Sequence, residues 1–409
     1  MTTIKDSVHD HIEVTDTARD LLDTPAVQRL RHVKQLGTAV LVYPSANHTR
    51  FEHSLGVYHL ASQALDHLGI RGSHAKHLRA AALLHDVGHT PYSHNVEPIV
   101  ERRTGLAHED VADVLNGGEV AHVLETNDLD PDRIAGLIAG EGPYADLVSG
   151  ELDVDRMDYL VRDAHHTGVP YGTIDHGRLV RELDFVDGRL VLEEGNVQTA
   201  ESLLIARALM NPTVYNHHAA RISKSMLRRA TERLLEESSH SGEDVRRMDD
   251  HDLHAALRSH EATASMAYRI AHRDLYKRAV WAEMDDVPEY VVEADHDGVR
   301  EFEAEIAADA GIGGERVIVD VQAEPAMQET TTRVVVGGDV RRLDQQSALV
   351  EALRRAQRGQ WRLGVYTTAD LTERVGHAAE RVLGLDTDGR LVSERRGRYV
   401  PLDEFEVEE

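Results

Sequence analysis

His85-Asp86-Val87-Gly88-His89-Thr90-Pro91-Tyr92-Ser93-His94 follows directly on an apolar run, Leu78 to Leu84, and the two together decide how this chain is read. On a helix, Leu78, Ala81, Ala82 and His85 share one face, so the His85 imidazole points where core side chains pack. A histidine there needs a polar partner, and Asp86 is its neighbour. Gly88 offers a helix stop, and His89 and His94 follow within one further loop and turn. A neutral imidazole beside a carboxylate at a buried helix end is N/O ligation suited to a divalent cation. One His-Asp pair is as readily a hydrogen-bonded core histidine, so further ligands must carry the argument.

The same phase argument supplies them. Val57, Leu60, Ala61, Ala64, Leu65 and Leu68 keep i, i+3, i+4 spacing, and His53 lies one turn before Val57 on that stripe. Downstream, Val154, Met157, Leu160, Val161 and Ala164 form an apolar stripe. Asp155, Tyr159, Arg162, Asp163 and His166 form a second, polar one. His53, His85, Asp86 and Asp155 then give two imidazoles and two carboxylates on three helices, a protein ligand set for one metal ion with positions left for water and substrate.

The strings Arg50-Phe51-Glu52-His53-Ser54-Leu55-Gly56, His85 to His94, His108-Glu109 and Asp153-Val154-Asp155-Arg156-Met157-Asp158-Tyr159 resemble the HD-domain phosphohydrolases. More narrowly, they resemble the deoxynucleoside triphosphate triphosphohydrolases, including the SAM-and-HD-domain enzymes. The resemblance is close over about Asp6 to Tyr171, thinner to about Arg229, and general beyond. It implies a mainly α fold, an HD helical bundle, and water attack on the α-phosphate of a dNTP to release deoxynucleoside and triphosphate. It also implies one divalent metal ion per active site (Mn, Fe, Zn, Ni or Mg) and a homo-oligomer, dimer or tetramer. By resemblance His108 is the acid or base near the scissile phosphate, supported by Glu97 where relatives have Asp, and His89 belongs with them. Arg50 and Arg156 are placed on the phosphates, with Lys common in relatives at the second, and His94 on the substrate. Gln35 and Leu36 are placed on sugar and base, Tyr159 and Asp163 on the 3′-hydroxyl and phosphates, and Tyr215 and His218 against the nucleotide. Two other classes stay open: an HD hydrolase of another nucleotide (monophosphate or cyclic), and a non-catalytic nucleotide-binding regulator.

The remaining composition narrows the setting. The 409 residues carry 72 acidic against 45 basic side chains, formal net −27, with lysine only at positions 5, 34, 76, 224 and 277. Such a surface is expected of a halophilic cytoplasm, where salt screens self-repulsion. No basic stripe speaks for nucleic acid. Absence of cysteine removes disulfides and thiolate chemistry. No apolar run is long enough to span a bilayer and Met1 to Asp6 lacks a signal-peptide core, so a cytoplasmic location is expected.

In chain order, short β-like pieces precede Thr24-Pro25, read as an N-cap and first helical residue. A helix is expected over Val27 to Leu36, ending at Gly37. Leu183 to Glu193 reads as a hairpin about Asp187-Gly188. Helices follow over Val197 to Met210, Thr213 to Glu237 (Tyr215 and His218 sharing a face with Ile222), and about Asp250 to Met284. After Pro288, Tyr290 to Glu293, Val299 to Ala308, Arg316 to Val321, Thr332 to Val336, Asp344 to Arg358 and Trp361 to Thr367 alternate as β-α-β-β-α-β, with a closing helix at Leu371 to Leu383. That order predicts a ferredoxin-like α+β lobe, so the expected domains are 1–285, helical, and 286–409, α+β. An acidic tail runs from Asp403 to Glu409.

Overall fold

The histidine-bearing helices lie at the centre of a helical unit. In the computed structural model, which describes residues 2–323, 332–387 and 389–392, that unit comprises 2–273 and 332–350, and a second comprises 274–323 with the rest. The acidic tail at 403–409 lies outside the described residues. Helix Arg50–His67 packs against both Gly72–Leu84 and Val154–Thr167. Its start is set by Glu52, whose carboxylate accepts from the Thr49 backbone N–H at 2.6 Å and hydroxyl at 2.8 Å. The apolar stripe predicted for it is the core: Val57, Leu60, Ala61, Ala64 and Leu65 are buried.

Around these helices the chain departs from expectation in definite ways. The helix expected over Val27 to Leu36 is Pro25–Arg29 followed by a tight turn, Leu30–His32. Beyond it Val33 is extended and Lys34 bridges Thr49. Gln35 N–H bonds to His48 O and Arg50 N–H to Val33 O, so tertiary pairing takes the backbone groups a helix would use. Pro25 does open the helix, but the Thr24 hydroxyl donates to Leu21 O instead of capping it. Gly88 is no helix stop, since Gly72–Leu84 has already ended and His85 caps it. Glycine is needed there because a Cβ would overlap the His108 carbonyl oxygen and lie 3.1 Å from Val111.

The hairpin Leu183–Val186 and Arg189–Leu192 forms as predicted, with Asp187 and Gly188 both at positive φ. It carries a second hairpin, Arg333–Val336 and Asp339–Arg342, paired in parallel through Leu192 and Val334. Helix Val197–Met210 runs into a wide turn, Asn211–Tyr215, and the next helix begins at His218. Tyr215 and His218 therefore do not share one helical face; the turn carrying Pro212 and the break at Asn216 and His217 separate them.

The second unit is α+β. The region read as helical to Met284 ends in helices Asp250–Ser259 and Glu261–Ala271, and Lys277–Glu283 is a strand. It pairs with Arg362–Thr367, which pairs with Ile318–Asp320, all antiparallel. Tyr290 sits in a helical turn, Glu289–Val292, and Arg333–Val336 belongs to the other unit's sheet. The strand order thus differs from that of the ferredoxin-like unit. Helices His296–Ala310 and Thr372–Leu383 supply Ile306, Val375, Ala378 and Leu383 to a core with Val280, Leu363 and Val365. Among the described residues no helix is long and apolar enough to cross a membrane.

Candidate active site

Helices Arg50–His67 and Val154–Thr167 and the turn that follows Gly72–Leu84 bring the expected ligands together: His53, His85 and Asp86 lie close enough to share one ion, and Asp155 approaches through His53 and His85. His53 Nε2 lies 3.3 Å from His85 Nε2, 2.8 Å from Asp155 Oδ1 and 3.8 Å from Asp86 Oδ2. His85 Nε2 lies 3.3 Å from Asp86 Oδ1 and 3.8 Å from Asp155 Oδ1. A cation about 2.0–2.2 Å from each ligand would set neighbouring ligand atoms roughly 3.0–3.5 Å apart, so the spacing fits. The tautomers fit as well. His85 Nδ1 is 2.9 Å from Ala82 O, an acceptor only, so it carries the proton and leaves the Nε2 lone pair free. His53 Nδ1 is likewise held by Asp158 Oδ2 at 2.7 Å. His53 Nε2 and Asp155 Oδ1 then face each other as two acceptors, and a positive charge must lie between them. Burial lowers the His53 pKa, but hydrogen bonds to Asp155 and Asp158 and the charge of Asp86 outweigh it and raise it to about 10. Protonated, the group answers a demand for one cation that a divalent ion meets equally.

Asp86 is buried, which alone would raise its pKa, yet Arg50, His85 and His89 hold it well below the carboxylate range. Arg50 is spent on this work: its Nη1 donates to both Asp86 oxygens at 3.0 and 3.2 Å and its Nε to Ser93 Oγ at 2.9 Å.

Beside this centre lies a histidine cluster. His89 Nε2 is 3.1 Å from Asp86 Oδ1, and its ring stacks on His108 at 4.2 Å with His94 edge-on at 4.8 Å. Burial, Arg50 and His108 keep His89 well below its ordinary pKa, hence neutral. Glu97 joins the other two: one carboxylate oxygen takes a short bond from His108 Nδ1, the other lies 2.6 Å from His94 Nδ1. Burial opposes the charge on His108, but Glu97 outweighs it and raises its pKa. Burial also lowers that of His94. His108 is therefore biased toward its imidazolium form, next to a neutral imidazole. A cleft of about 530 Å³ joins both groups, with His85, His108, Asp155 and Arg156 in its wall together with Glu109, Glu151 and Asp153.

Residues 50–163 match the HD domain and residues 174–394 the HD associated region. An uncharacterised protein of Methanocaldococcus jannaschii is 32% identical over 375 residues, covering 90% of this chain and 79% of its own. The chain belongs to the HD-domain phosphohydrolases. A Dictyostelium discoideum protein named as a homologue of the deoxynucleoside triphosphate triphosphohydrolase SAMHD1 is 34% identical over 246 residues, 55% of this chain and 48% of that one. The HD phosphohydrolase described here thus spans about half the length of that relative. A solved structure of a phosphohydrolase from Bacteroides thetaiotaomicron superposes with a TM-score of 0.73 at 26% identity, covering 90% of this chain and 100% of the other.

Of the HD phosphohydrolase's expected nucleotide-side residues, Arg156 lines the cleft, its Nη1 donating to Gly150 O at 2.7 Å. Tyr159 lies ring to ring with Tyr215 at 6.4 Å, and Tyr215 donates to Asp163 Oδ2 at 2.8 Å. The other Asp163 oxygen accepts from His48 Nε2 at 2.9 Å. Gln35 is tied to the same stretch of backbone by its N–H on His48 O, and its side-chain Oε1 is buried without a partner among the described residues. Leu36 precedes the turn Gly37–Leu41, and the His218 ring lies tilted at 4.4 Å from that of His217; neither lines the cleft.

Sequence reasoning missed the groups behind the ligands. Asp158, fully buried, holds His53 Nδ1 with one oxygen, while the other lies 2.6 Å from His9 Nε2. Arg162, also fully buried, donates to Asp158 at 2.9 Å and to Asp6 at 2.9 Å. The polar stripe on Val154–Thr167 is therefore an interior face. A clue was present in the repeat Asp155, Asp158, Arg162 at i, i+3, i+7. His48, five residues before His53, and His9, far away in sequence, gave none.

Proposed function

We propose that this HD phosphohydrolase is a dNTP triphosphohydrolase, cleaving between the α-phosphorus and the 5′-oxygen. The observation that carries the reading is one cleft whose wall holds His85 and Asp155 together with an imidazolium, His108, and the phosphate-seeking Arg156. A divalent ion held by His53, His85, Asp86 and Asp155 would supply a Lewis acid for the phosphoryl group and acidify a water. Arg156 takes phosphate oxygens as a planar fork; with carboxylates at Glu109, Glu151 and Asp153 around it, charge on the phosphate chain must be met by this arginine and by cations. Water oxygen bonds to the α-phosphorus, the bond to the 5′-oxygen breaks, and His108 gives its Nε2 proton to that oxygen, yielding deoxynucleoside and triphosphate; the proton the water gives up passes to solvent, from which His108 is reprotonated. Glu97 keeps His108 charged and oriented for this. Neutral His89, stacked against it and 3.1 Å from Asp86, separates the proton donor from the ligand carboxylates. By the family resemblance Tyr159, Tyr215, Asp163 and Gln35 would take sugar and base, and the name of the Dictyostelium relative supports a dNTP over other nucleotides.

Phosphorus NMR of a dATP or dGTP digest with Mn²⁺ in molar KCl, without added phosphatase, tests the cut. Triphosphate should appear in one step, matched by deoxynucleoside. Early orthophosphate with no triphosphate overturns the proposal, and intact dNTPs alongside consumed monophosphate or cyclic nucleotide return the activity to another HD hydrolase class.

A further inference from the structure

A second cavity, about 280 Å³, lies behind the histidine loop. Its wall includes Ala26, Val87, Gly88 and three arginines, Arg29, Arg246 and Arg247, and no carboxylate. In a chain of net charge −27 this is an unusual concentration of positive charge. Arg29 has no carboxylate partner: it donates to Met248 O at 2.8 Å, Val87 O at 2.9 Å and His89 O at 2.8 Å. Arg246, its side chain only 2% exposed, gives its Nη groups to Asp113 and to Asp110 O, and its Nε is buried with no acceptor. Arg247, 55% exposed, shares Asp113 and Glu243 with it. Asp113 and Glu243 thus serve Arg246 and Arg247, the bonds of Arg29 go to backbone carbonyls, and one buried N–H donor is left unanswered, a costly arrangement without an acceptor. Burial pulls the Arg29 pKa down to about 10; the charge of Asp249, and less so of Asp250, opposes this, and the two neighbouring arginines add to it.

We propose that this cavity is a binding site for a phosphate-class oxyanion, distinct from the catalytic cleft. Tetrahedral oxyanions present several acceptors in the geometry guanidinium forks match, and the volume suits a phosphate or a short phosphate chain. Occupancy would be felt by the reaction centre, because Arg29 grips the carbonyls of Val87 and His89, on either side of Gly88, and the backbone there runs so near the His108 carbonyl that it has no room for a Cβ at Gly88. The anion is either free phosphate, including the chain released by hydrolysis, or the phosphate tail of a nucleotide.

Titration calorimetry of the full-length protein with inorganic phosphate, tripolyphosphate and dATP tests this. Arg247→Glu reverses charge at an exposed position with little risk to folding, and Ala26→Glu puts a carboxylate into the cavity. Each should weaken phosphate binding by about tenfold or more, the value of one lost charge-assisted bond. Arg156→Gln, in the cleft, should leave that component unchanged. Equal affinity for phosphate and the longer chains assigns the site to free phosphate, and tighter binding of dATP assigns it to a nucleotide tail; either supports the proposal. Phosphate binding lost only in Arg156→Gln, or no binding by the wild-type protein, overturns it. These readouts need no turnover, so their failure is separable from failure of the hydrolase reading.

Discussion

Gly56→Ala sets helix propensity against the packing behind the candidate metal centre. Gly56 lies mid-helix in Arg50–His67, three residues after His53, where propensity alone says alanine should stabilise by about 0.5–1 kcal/mol. The structure says the opposite. An alanine Cβ would overlap Asp158 Oδ1 and lie 2.5 Å from Arg162 Nη2, and both side chains are fully buried, with nowhere to retreat. Overpacking costs about 1–3 kcal/mol. Prising Asp158 from Arg162 adds part of the roughly 3–5 kcal/mol of a broken buried pair. Set against the propensity gain, the net loss is about 2–4 kcal/mol. Because Asp158 also orients His53, metal affinity should fall about 10–100-fold. His9→Ala removes only the 2.6 Å contact to the same carboxylate, so its effect should be smaller, about 1.5–3 kcal/mol. Urea denaturation and chelator competition for Mn²⁺ measure the two quantities. A Gly56→Ala protein as stable as wild type, with undiminished metal affinity, would refute the reasoning.

Asp86→Ala should lose both metal and activity, and full metal occupancy in the folded variant would remove it from the ligand set. His108→Ala should keep the metal yet turn over about 10²–10⁴-fold more slowly; metal loss there would put His108 among the ligands. The His108 pKa is raised above 6.5, mainly by Glu97 against burial, so its imidazolium is fully present below 6.5 and lost as pH rises through the raised value. In Glu97→Gln burial is opposed only by the smaller charge effects of Glu109 and Asp86, and the alkaline limb of kcat should move to lower pH; an unmoved limb argues against His108 as the acid. Thermal midpoints should rise steeply from dilute buffer to molar KCl, given 72 carboxylates; a flat profile would end the halophile reading.

The meeting of His53, His85, Asp86 and Asp155 was legible because helical phase is a local property: His53 and Asp155 sit at computable angles on their own helices, and His85 at the end of a third. The network behind them was not, because His9 meets Asp158 across 149 residues, and no local pattern encodes that encounter. The same distinction explains the sheets. Asp187-Gly188 announced its hairpin through turn chemistry, whereas nothing in Arg333–Val336 said that its partner would be Leu192 instead of a neighbour in the second unit. Helix Val27 to Leu36 failed for a related reason: Lys34 and Gln35 were claimed by Thr49 and His48.

That parallel pairing also fixes how the molecule can be taken apart. The polypeptide leaves the helical unit after residue 273, returns to it at 332–350, and leaves again. Neither unit is a continuous piece, so the second cannot be read as a detachable appendage joined by one linker. Cutting the chain at residue 273 would strip the helical unit of Arg333–Val336 and Asp339–Arg342 and leave Arg189–Leu192 as a bare edge, open to pairing with another chain.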